Sequence, residues 1–184
     1  MGNLYIALLH FPMLSRAGDV VATALTSINV PDIARTARTY GVSRYYVVTP
    51  LASQRRIAER LREFWLGDDE DLPNRKEAVA LVTVREELEE CYEEIAQAEG
   101  QPPLLWGTSA RSNLPYPRVG WDEARAILRE RPILVLFGTG NGMAEELLAA
   151  CDALLPPVRA RRYNYLSVRA AVAIILDRLK GEEP

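Results

Sequence analysis

Histidine, lysine and cysteine are nearly absent from this chain. One histidine (His10), two lysines (Lys76 and Lys180) and two cysteines (Cys91 and Cys151) occur among its 184 residues. With no CxxC pair and no Cys/His group, neither a zinc site nor any other bound metal is expected. Two isolated cysteines inside helical patterns suit a reducing compartment, so a cytoplasmic location is expected. Charge of one sign is also lacking: the formal net charge is -3. Any contact with nucleic acid must therefore come from a local patch. Nor does any stretch approach the roughly 18 apolar residues of a membrane span. The start, Met1 to His10, has no basic segment before its short apolar run, and reads as a first strand rather than a signal peptide.

What is present is an ordinary globular composition, 48% hydrophobic and 26% charged, in a chain long enough for one core. The cations are almost all arginine. Arginine suits bidentate phosphate recognition, although genomic composition explains such a bias equally well.

Short apolar runs alternate with amphipathic stretches. Leu4–Leu9 reads as a buried strand, His10 to Gly18 as a loop, and Val20–Ala24 as a possible extension of the same unit. His10, at a strand end, is more often a packing residue than a base. Pro31 sits at a first helical turn, with Asn29 or a neighbour as cap. Ile33, Ala34, Ala37 and Tyr40 carry the helical spacing, with Arg35 and Arg38 three apart on one side, and Gly41 ends the helix. Tyr45–Thr49 is the next strand. Ser53–Trp65 predicts an arginine-rich helix with a core stripe of Ile57, Leu61, Phe64 and Trp65. The acidic run Asp68–Asp71 reads as a solvated loop. A short strand is expected at Ala78–Val82, and a helix over Val84–Glu99 with Leu88, Cys91, Tyr92 and Ile95 facing the core.

Pro102 to Arg111 reads as strand then polar turn, and Trp121–Arg131 as a helix starting near Gly120. Pro132–Phe137 is a compact apolar strand. Three glycines within Gly138–Gly142 follow, then a helix over Met143–Ala150. Such glycines permit positive φ and close approach of another molecule. A helix N-terminus behind them offers free N–H groups and a positive dipole end. The turn is thus expected to wall a small-molecule site, with a plain tight turn as the alternative. Ala153–Leu155 is a short last strand, and a wide-faced helix runs from near Ser167 to Lys180. The alternation predicts a single α/β domain over 1–184 with a mainly parallel sheet.

The glycine turn fails two common phosphate cradles. No Lys follows it, so it is not a P-loop. Gly138 and Gly140 match the start of GxGxxG, but Met143 stands at the third place, and little chain remains for a second half. An NAD enzyme is therefore a poor fit.

Three stretches together resemble the SPOUT superfamily of S-adenosylmethionine-dependent RNA methyltransferases, specifically a small bacterial branch of it. The first is Asn29-Val-Pro-Asp-Ile-Ala-Arg-Thr-Ala37 with Gly41-Val-Ser-Arg44; the second is Leu134 to Leu147, including the glycine turn. The third is Leu154-Leu-Pro-Pro157 with Tyr163 to Ala171. Pro31 stands where relatives often have Gly. Ser167 replaces an Asn and Arg169 a Ser.

The resemblance implies a trefoil-knotted C-terminus, a homodimer joined through knot helices, S-adenosylmethionine as cofactor, and RNA (tRNA or rRNA) as substrate. It implies that Phe137, Gly138, Thr139, Gly140 and Gly142 hold one side of the cofactor. Trp106, Gly107, Thr108 and Ser109 would be its floor, while Leu155, Pro156, Tyr165, Leu166 and Ser167 would close over it. A side chain at residue 138 or 140 would then project into the cofactor. Arg35 is the first candidate for a catalytic residue on the RNA side, with Asn29 (substrate contact or helix cap) and Arg169. A surface-helix role for Arg35 is the alternative. Arg38, Arg159, Arg161 and Arg162 are candidate RNA contacts beside Tyr163 and Tyr165; a solvated loop is the alternative for residues 159–162. A second class of function also stays open: a catalytically silent cofactor-binding module that docks on a larger RNA-modifying enzyme.

Overall fold

A computed structural model of the chain describes residues 3–67, 73–158, 163 and 165–181. Six strands form one parallel sheet in the order β5-β4-β1-β7-β6-β8. These are β1 (Leu4–Leu9), β4 (Arg44–Val48), β5 (Val82–Arg85), β6 (Leu104–Gly107), β7 (Ile133–Gly138) and β8 (Ala153–Leu154). The two central strands are the two strongest apolar runs, and β1 buries all six of its residues. A parallel strand covered on both faces has no polar side to show.

The covering helices divide the core in two. Leu4, Ile6 and Leu8 of β1 point to a cluster that includes Val30, Ile33 and Ala37 of α1 (Asn29–Thr39) and Val172, Ile175, Leu176 and Leu179 of α7 (Val168–Lys180). α3 (Pro73–Val79) and α5 (Trp121–Leu128) complete that layer. Tyr5, Ala7 and Leu9 point the other way, against Cys91 and Ile95 of α4 (Leu88–Glu99) and Leu148 of α6 (Glu145–Ala149). The period-two alternation of one strand thus feeds both layers. Burial pushes both Cys91 and Cys151 thiols up to about 12, so neither carries a thiolate near neutrality.

Several boundaries differ from the sequence reading. The stretch expected to lead into a strand at Ala78–Val82 is helix α3, and the strand starts at Val82. Val84 pairs with Val47 in the sheet, so the next helix begins only at Leu88, behind a reciprocal Glu87–Glu90 capping box. α2 (Ala52–Leu66) forms as expected, but only Leu61 and Trp65 of its stripe pack against the core, both partly buried. Only Ala58 is buried, while Ile57 and Phe64 are 43% and 74% exposed. Met13–Leu14 (β2) and Val20–Val21 (β3) form a small antiparallel hairpin between β1 and α1. Asp68–Asp71 lie outside the described residues. No described helix is long and apolar enough to cross a membrane.

Candidate active site

In a parallel sheet, ligands collect at the carboxyl ends of strands, where connections diverge. Here that divergence falls between β1 and β7, but the hairpin fills it. The Leu14 N–H donates to Gly142 O (2.9 Å), and the Ala144 N–H to Pro12 O (3.0 Å). Asn141 Nδ2 donates to Leu14 O (3.3 Å), and Met13 Sδ lies 3.3 Å from Thr139 N. The open space is therefore displaced toward β7, β6 and β8. It is a cleft of about 760 Å³ between the turn after β6, the glycine loop after β7 and the approach to α7.

Most of the residues singled out from sequence meet there. Thr108, Ser109, Phe137, Gly138, Thr139, Gly140, Gly142, Pro156, Tyr165, Leu166, Ser167, Asn29 and Arg169 all line the cleft. Thr108 Oγ1 donates to Leu136 O (2.8 Å), tying β6 to β7, and Ser109 Oγ accepts from the Arg111 N–H (3.1 Å). Ser167 caps α7, its Oγ accepting from the Ala170 N–H (3.4 Å). Tyr165 is 81% exposed, and its ring lies 5.3 Å from that of Tyr163, at a tilt.

Other candidates stand elsewhere. Trp106 and Leu155 are about 99% buried in the core, and neither lines the cleft. A Cβ on Gly107 would meet Leu154 Cδ2 at 2.6 Å and Cys151 Sγ at 3.0 Å, so that glycine serves strand packing. Arg35 is exposed on α1 and does not line the cleft. It lies six residues beyond Asn29, about 120° around the helix, and so points away from the site. Arg38 is ion-paired with Glu77 on the surface. Arg159, Arg161 and Arg162 lie outside the described residues.

The glycine loop needs its glycines for a reason other than the expected one. A Cβ on Gly138 would meet Met143 Cγ at 2.7 Å and Met13 Sδ at 3.3 Å; one on Gly140 would meet Thr23 Cγ2 at 3.1 Å. Both obstacles are protein, not an occupant of the cleft. Gly140 and Gly142 also hold φ of +59° and +103°, values that L side chains resist. The helix behind the loop is only Glu145–Ala149, and its first turn is acidic. Pro12 O takes the N–H of Ala144, which stands at the N-cap.

Asn29 is not a cap. Ile28 holds that position, and Asn29 is the first residue of α1. Asn29 is 5% exposed, lines the cleft, and its Oδ1 is buried with no hydrogen-bond partner. A buried amide oxygen without a partner costs about 1–3 kcal/mol, which a ligand N–H or O–H would recover. Among the described residues the charged ones in the wall are Arg111 and Arg169. Arg111 pairs with Glu145 and donates to Met143 O (3.3 Å); Arg169 Nε is 3.6 Å from Asp32 Oδ2. Among the described residues no three His, Cys, Asp or Glu side chains group as metal ligands. The sequence reading missed Arg111 and the segment Thr23–Thr26. The second had a signal, a polar stretch directly before Asn29.

His10 is fully buried and does not line the cleft. Burial holds its imidazole below the ordinary histidine value, although the Val48 and Leu8 backbones favour the charged form. It is a packing residue, not a base at the site.

A wide cleft walled by hydroxyls, bare main chain and two arginines, at the carboxyl edge of a parallel sheet, defines an α/β protein built to hold a small molecule at its strand ends. The family described as SAM-dependent RNA methyltransferase matches residues 3–181, and the chain belongs to it. It is 44% identical over 183 residues to a tRNA (guanine-N(1)-)-methyltransferase of Nitratidesulfovibrio vulgaris, covering 98% of this chain but 42% of that protein. The chain thus spans about two fifths of that curated relative. It is also 40% identical over 180 residues to an uncharacterized protein of Aquifex aeolicus, covering 96% of this chain and 88% of that one. Among solved structures, the SpoU methyltransferase AviRb of Streptomyces viridochromogenes, in complex with AdoMet, superposes with a TM-score of 0.61 at 18% identity. The superposition covers 96% of this chain and 56% of that one. At that identity the likeness is one of fold.

Proposed function

We propose that the chain transfers a methyl group from S-adenosylmethionine to a nitrogen or oxygen of an RNA nucleoside, in tRNA or rRNA. The observation that carries this reading is the cleft itself, in a chain matched to the family over nearly its whole length. Its volume suits a nucleoside-sized ligand. The unpartnered Asn29 Oδ1 and the hydroxyls and bare main chain of the wall suit adenine and ribose edges.

Phe137, Gly138, Thr139, Gly140 and Gly142 would hold one side of the cofactor, with Thr108 and Ser109 beneath. Pro156, Tyr165, Leu166 and Ser167 would close the other side. When bound, the cofactor supplies a methyl group on a sulfonium, activated for attack. The protein's part is to orient the RNA nucleophile against it and exclude water. Asn29 and Arg169 are the side chains placed for that orienting role. Arg35 is kept as an outer RNA contact beside Arg38, and Arg159, Arg161 and Arg162 as further contacts.

We read the chain as one domain whose C-terminal segment is knotted. Support comes from β8, which is held on one edge by β6 and on the other by the β6–α5 connection. The Leu155 N–H donates to Gly107 O (2.9 Å) and the Leu154 N–H to Pro117 O (2.8 Å). A homodimer through α7 is favoured by Ala170, Ala173 and Ile174, which lie partly exposed on its outer side. A cytoplasmic setting fits two buried free thiols.

Titration calorimetry with S-adenosylmethionine tests the first step; no saturable heat at millimolar cofactor ends the reading. Labelled-methyl transfer to total RNA from a deletion strain tests the second. Cofactor binding without transfer would favour the silent module, a reading supported by the chain's two-fifths share of its Nitratidesulfovibrio relative. More than half of that relative lies outside the match, so its guanine-N(1) activity belongs to the longer protein.

A further inference from the structure

The outward face of α2 brings large apolar side chains and unpaired arginines onto one surface. Arg56, Ile57, Arg60 and Phe64 fall on one side of the helix at spacings of three and four residues. All four are exposed, Phe64 at 74%. Among the arginines of this helix, Arg55 pairs with Glu86 and Arg62 with Glu59. Arg56 and Arg60 have no hydrogen-bond or ion-pair partner among the described residues. The Phe64 ring meets Trp65 edge-on at 5.3 Å, and the Arg75 guanidinium lies 5.0 Å over the same Trp65 ring. The α2 segment carries a net charge of +2 in a chain of net charge -3.

We propose that this face is a docking surface for the RNA strand that leaves the cleft, with Arg56 and Arg60 on phosphates and Phe64 under a base. The inference rests on the RNA reading above. Interleaved cations and aromatic faces are what a nucleic-acid backbone with splayed bases requires. An apolar peptide would leave both guanidiniums unpaired, whereas phosphates satisfy them. Position agrees with chemistry. Gln54 Oε1, in the first turn of α2, accepts the Leu25 N–H at 2.7 Å, and Leu25 lies between the cleft-lining residues Ala24 and Thr26. Arg55 Nη1 donates to Thr49 O (2.9 Å) at the carboxyl end of β4. The first turn of the helix is therefore tied to the segment that walls the cleft.

The test uses the full chain, fluorescein-labelled bulk tRNA and ribosomal RNA, with binding read by anisotropy across a salt series. Arg56→Glu/Arg60→Glu is expected to weaken RNA binding by tenfold or more. Losing two phosphate contacts should also flatten the slope of log K against log salt by about 1.4 to 1.8. Phe64→Ala is expected to weaken binding by about tenfold with the slope unchanged. Arg56→Ala/Arg60→Ala serves as a milder pair should charge reversal impair folding. Calorimetric cofactor binding should be unchanged in all of these variants, because the face is outside the cleft. Wild-type RNA binding that every variant retains would overturn the docking face and leave the RNA reading intact. A wild-type chain that binds neither RNA would remove both. A change of sedimenting species in Phe64→Ala with RNA affinity intact would make the face a protein interface and overturn the proposal.

Discussion

The hydroxyl oxygens of Thr23 and Thr139 lie 2.5 Å apart. Thr139 Oγ1 is also 3.0 Å from Leu9 O, to which it can only donate. Each hydroxyl has one proton. Thr23 Oγ1 also lies 3.4 Å from His10 O, a longer contact; the arrangement that uses the two shorter ones has Thr139 donating to Leu9 O and Thr23 donating to Thr139. Through this one bond the segment after the hairpin fixes the orientation of a residue in the glycine loop.

Thr23→Val keeps the shape and removes the donor. It is expected to cost about 1 kcal/mol of folding stability and to weaken S-adenosylmethionine binding, with Thr23→Ser restoring both. Urea unfolding and calorimetry on the same preparations check the two effects. Full cofactor affinity in Thr23→Val would mean that the loop is held without this contact.

The glycines of the loop should separate by mechanism. Gly138→Ala drives a methyl group against Met143 Cγ and the Met143 backbone nitrogen (3.1 Å), an overpacking of about 1–3 kcal/mol. Trimming the neighbour in Gly138→Ala/Met143→Ala should recover part of that loss. At Gly142 nothing lies within 4 Å of an added Cβ, and φ is +103°. Gly142→Ala therefore carries backbone strain that no trimming relieves. Denaturant midpoints of the variants distinguish the two cases.

This distinction was not legible in the sequence. Three glycines after a buried strand announced a loop that something approaches closely. The approaching groups proved to be Met143, within the same stretch, and Met13 and Thr23, from a hairpin and the segment after it that sequence reading treated mostly as loop. Met13 and Thr23 stand at the far end of the chain from these glycines, and no local pattern pairs them. Local pattern did serve where burial is uniform, as in β1 and β7, whose apolar runs leave no second choice. It failed on α2, because helical spacing shows that Ile57 and Phe64 share a face but not whether that face has a neighbour. It failed likewise between Pro73 and Glu87, where pairing of Val84 with Val47 overrides the helical continuation. At the site, Asn29 was legible as a position but not as an unpartnered acceptor, since only packing removes its water. Trp106 and Gly107 were expected as part of the cofactor's floor at the strand end, but the wall begins only at Thr108.

The single histidine gives the pH dependence a clean origin. In the unfolded chain His10 takes up a proton near the ordinary value of about 6.5. In the folded chain burial holds it below that value. As pH falls below about 6.5 the unfolded state binds the proton first, so stability drops, by up to about 1.4 kcal/mol per pH unit. The loss stops once pH passes the folded value. Above about pH 7 neither state is charged at His10 and the effect vanishes. His10→Gln should flatten the change in urea midpoint between about pH 7 and 5, before carboxylates titrate. An equally steep profile in the variant would place the dependence elsewhere.

Arg169 offers the sharpest separation of structure from chemistry. Its guanidinium ties α7 to α1 through Asp32, with the two side chains 41% and 40% exposed. A pair so open to water contributes at most about 1 kcal/mol. Arg169→Ala should therefore leave the unfolding midpoint nearly unchanged. If the guanidinium orients RNA at the cleft, the same variant should lose methyl transfer by tenfold or more while keeping its calorimetric affinity for the cofactor. Asp32→Asn adds a second readout, because it releases the guanidinium without deleting it. RNA should still bind to that variant while turnover falls, since a mobile cation attracts phosphate but no longer fixes its position. Should Arg169→Ala instead lose stability and keep turnover, the residue is a strap between helices, and the orienting role falls to Asn29 alone.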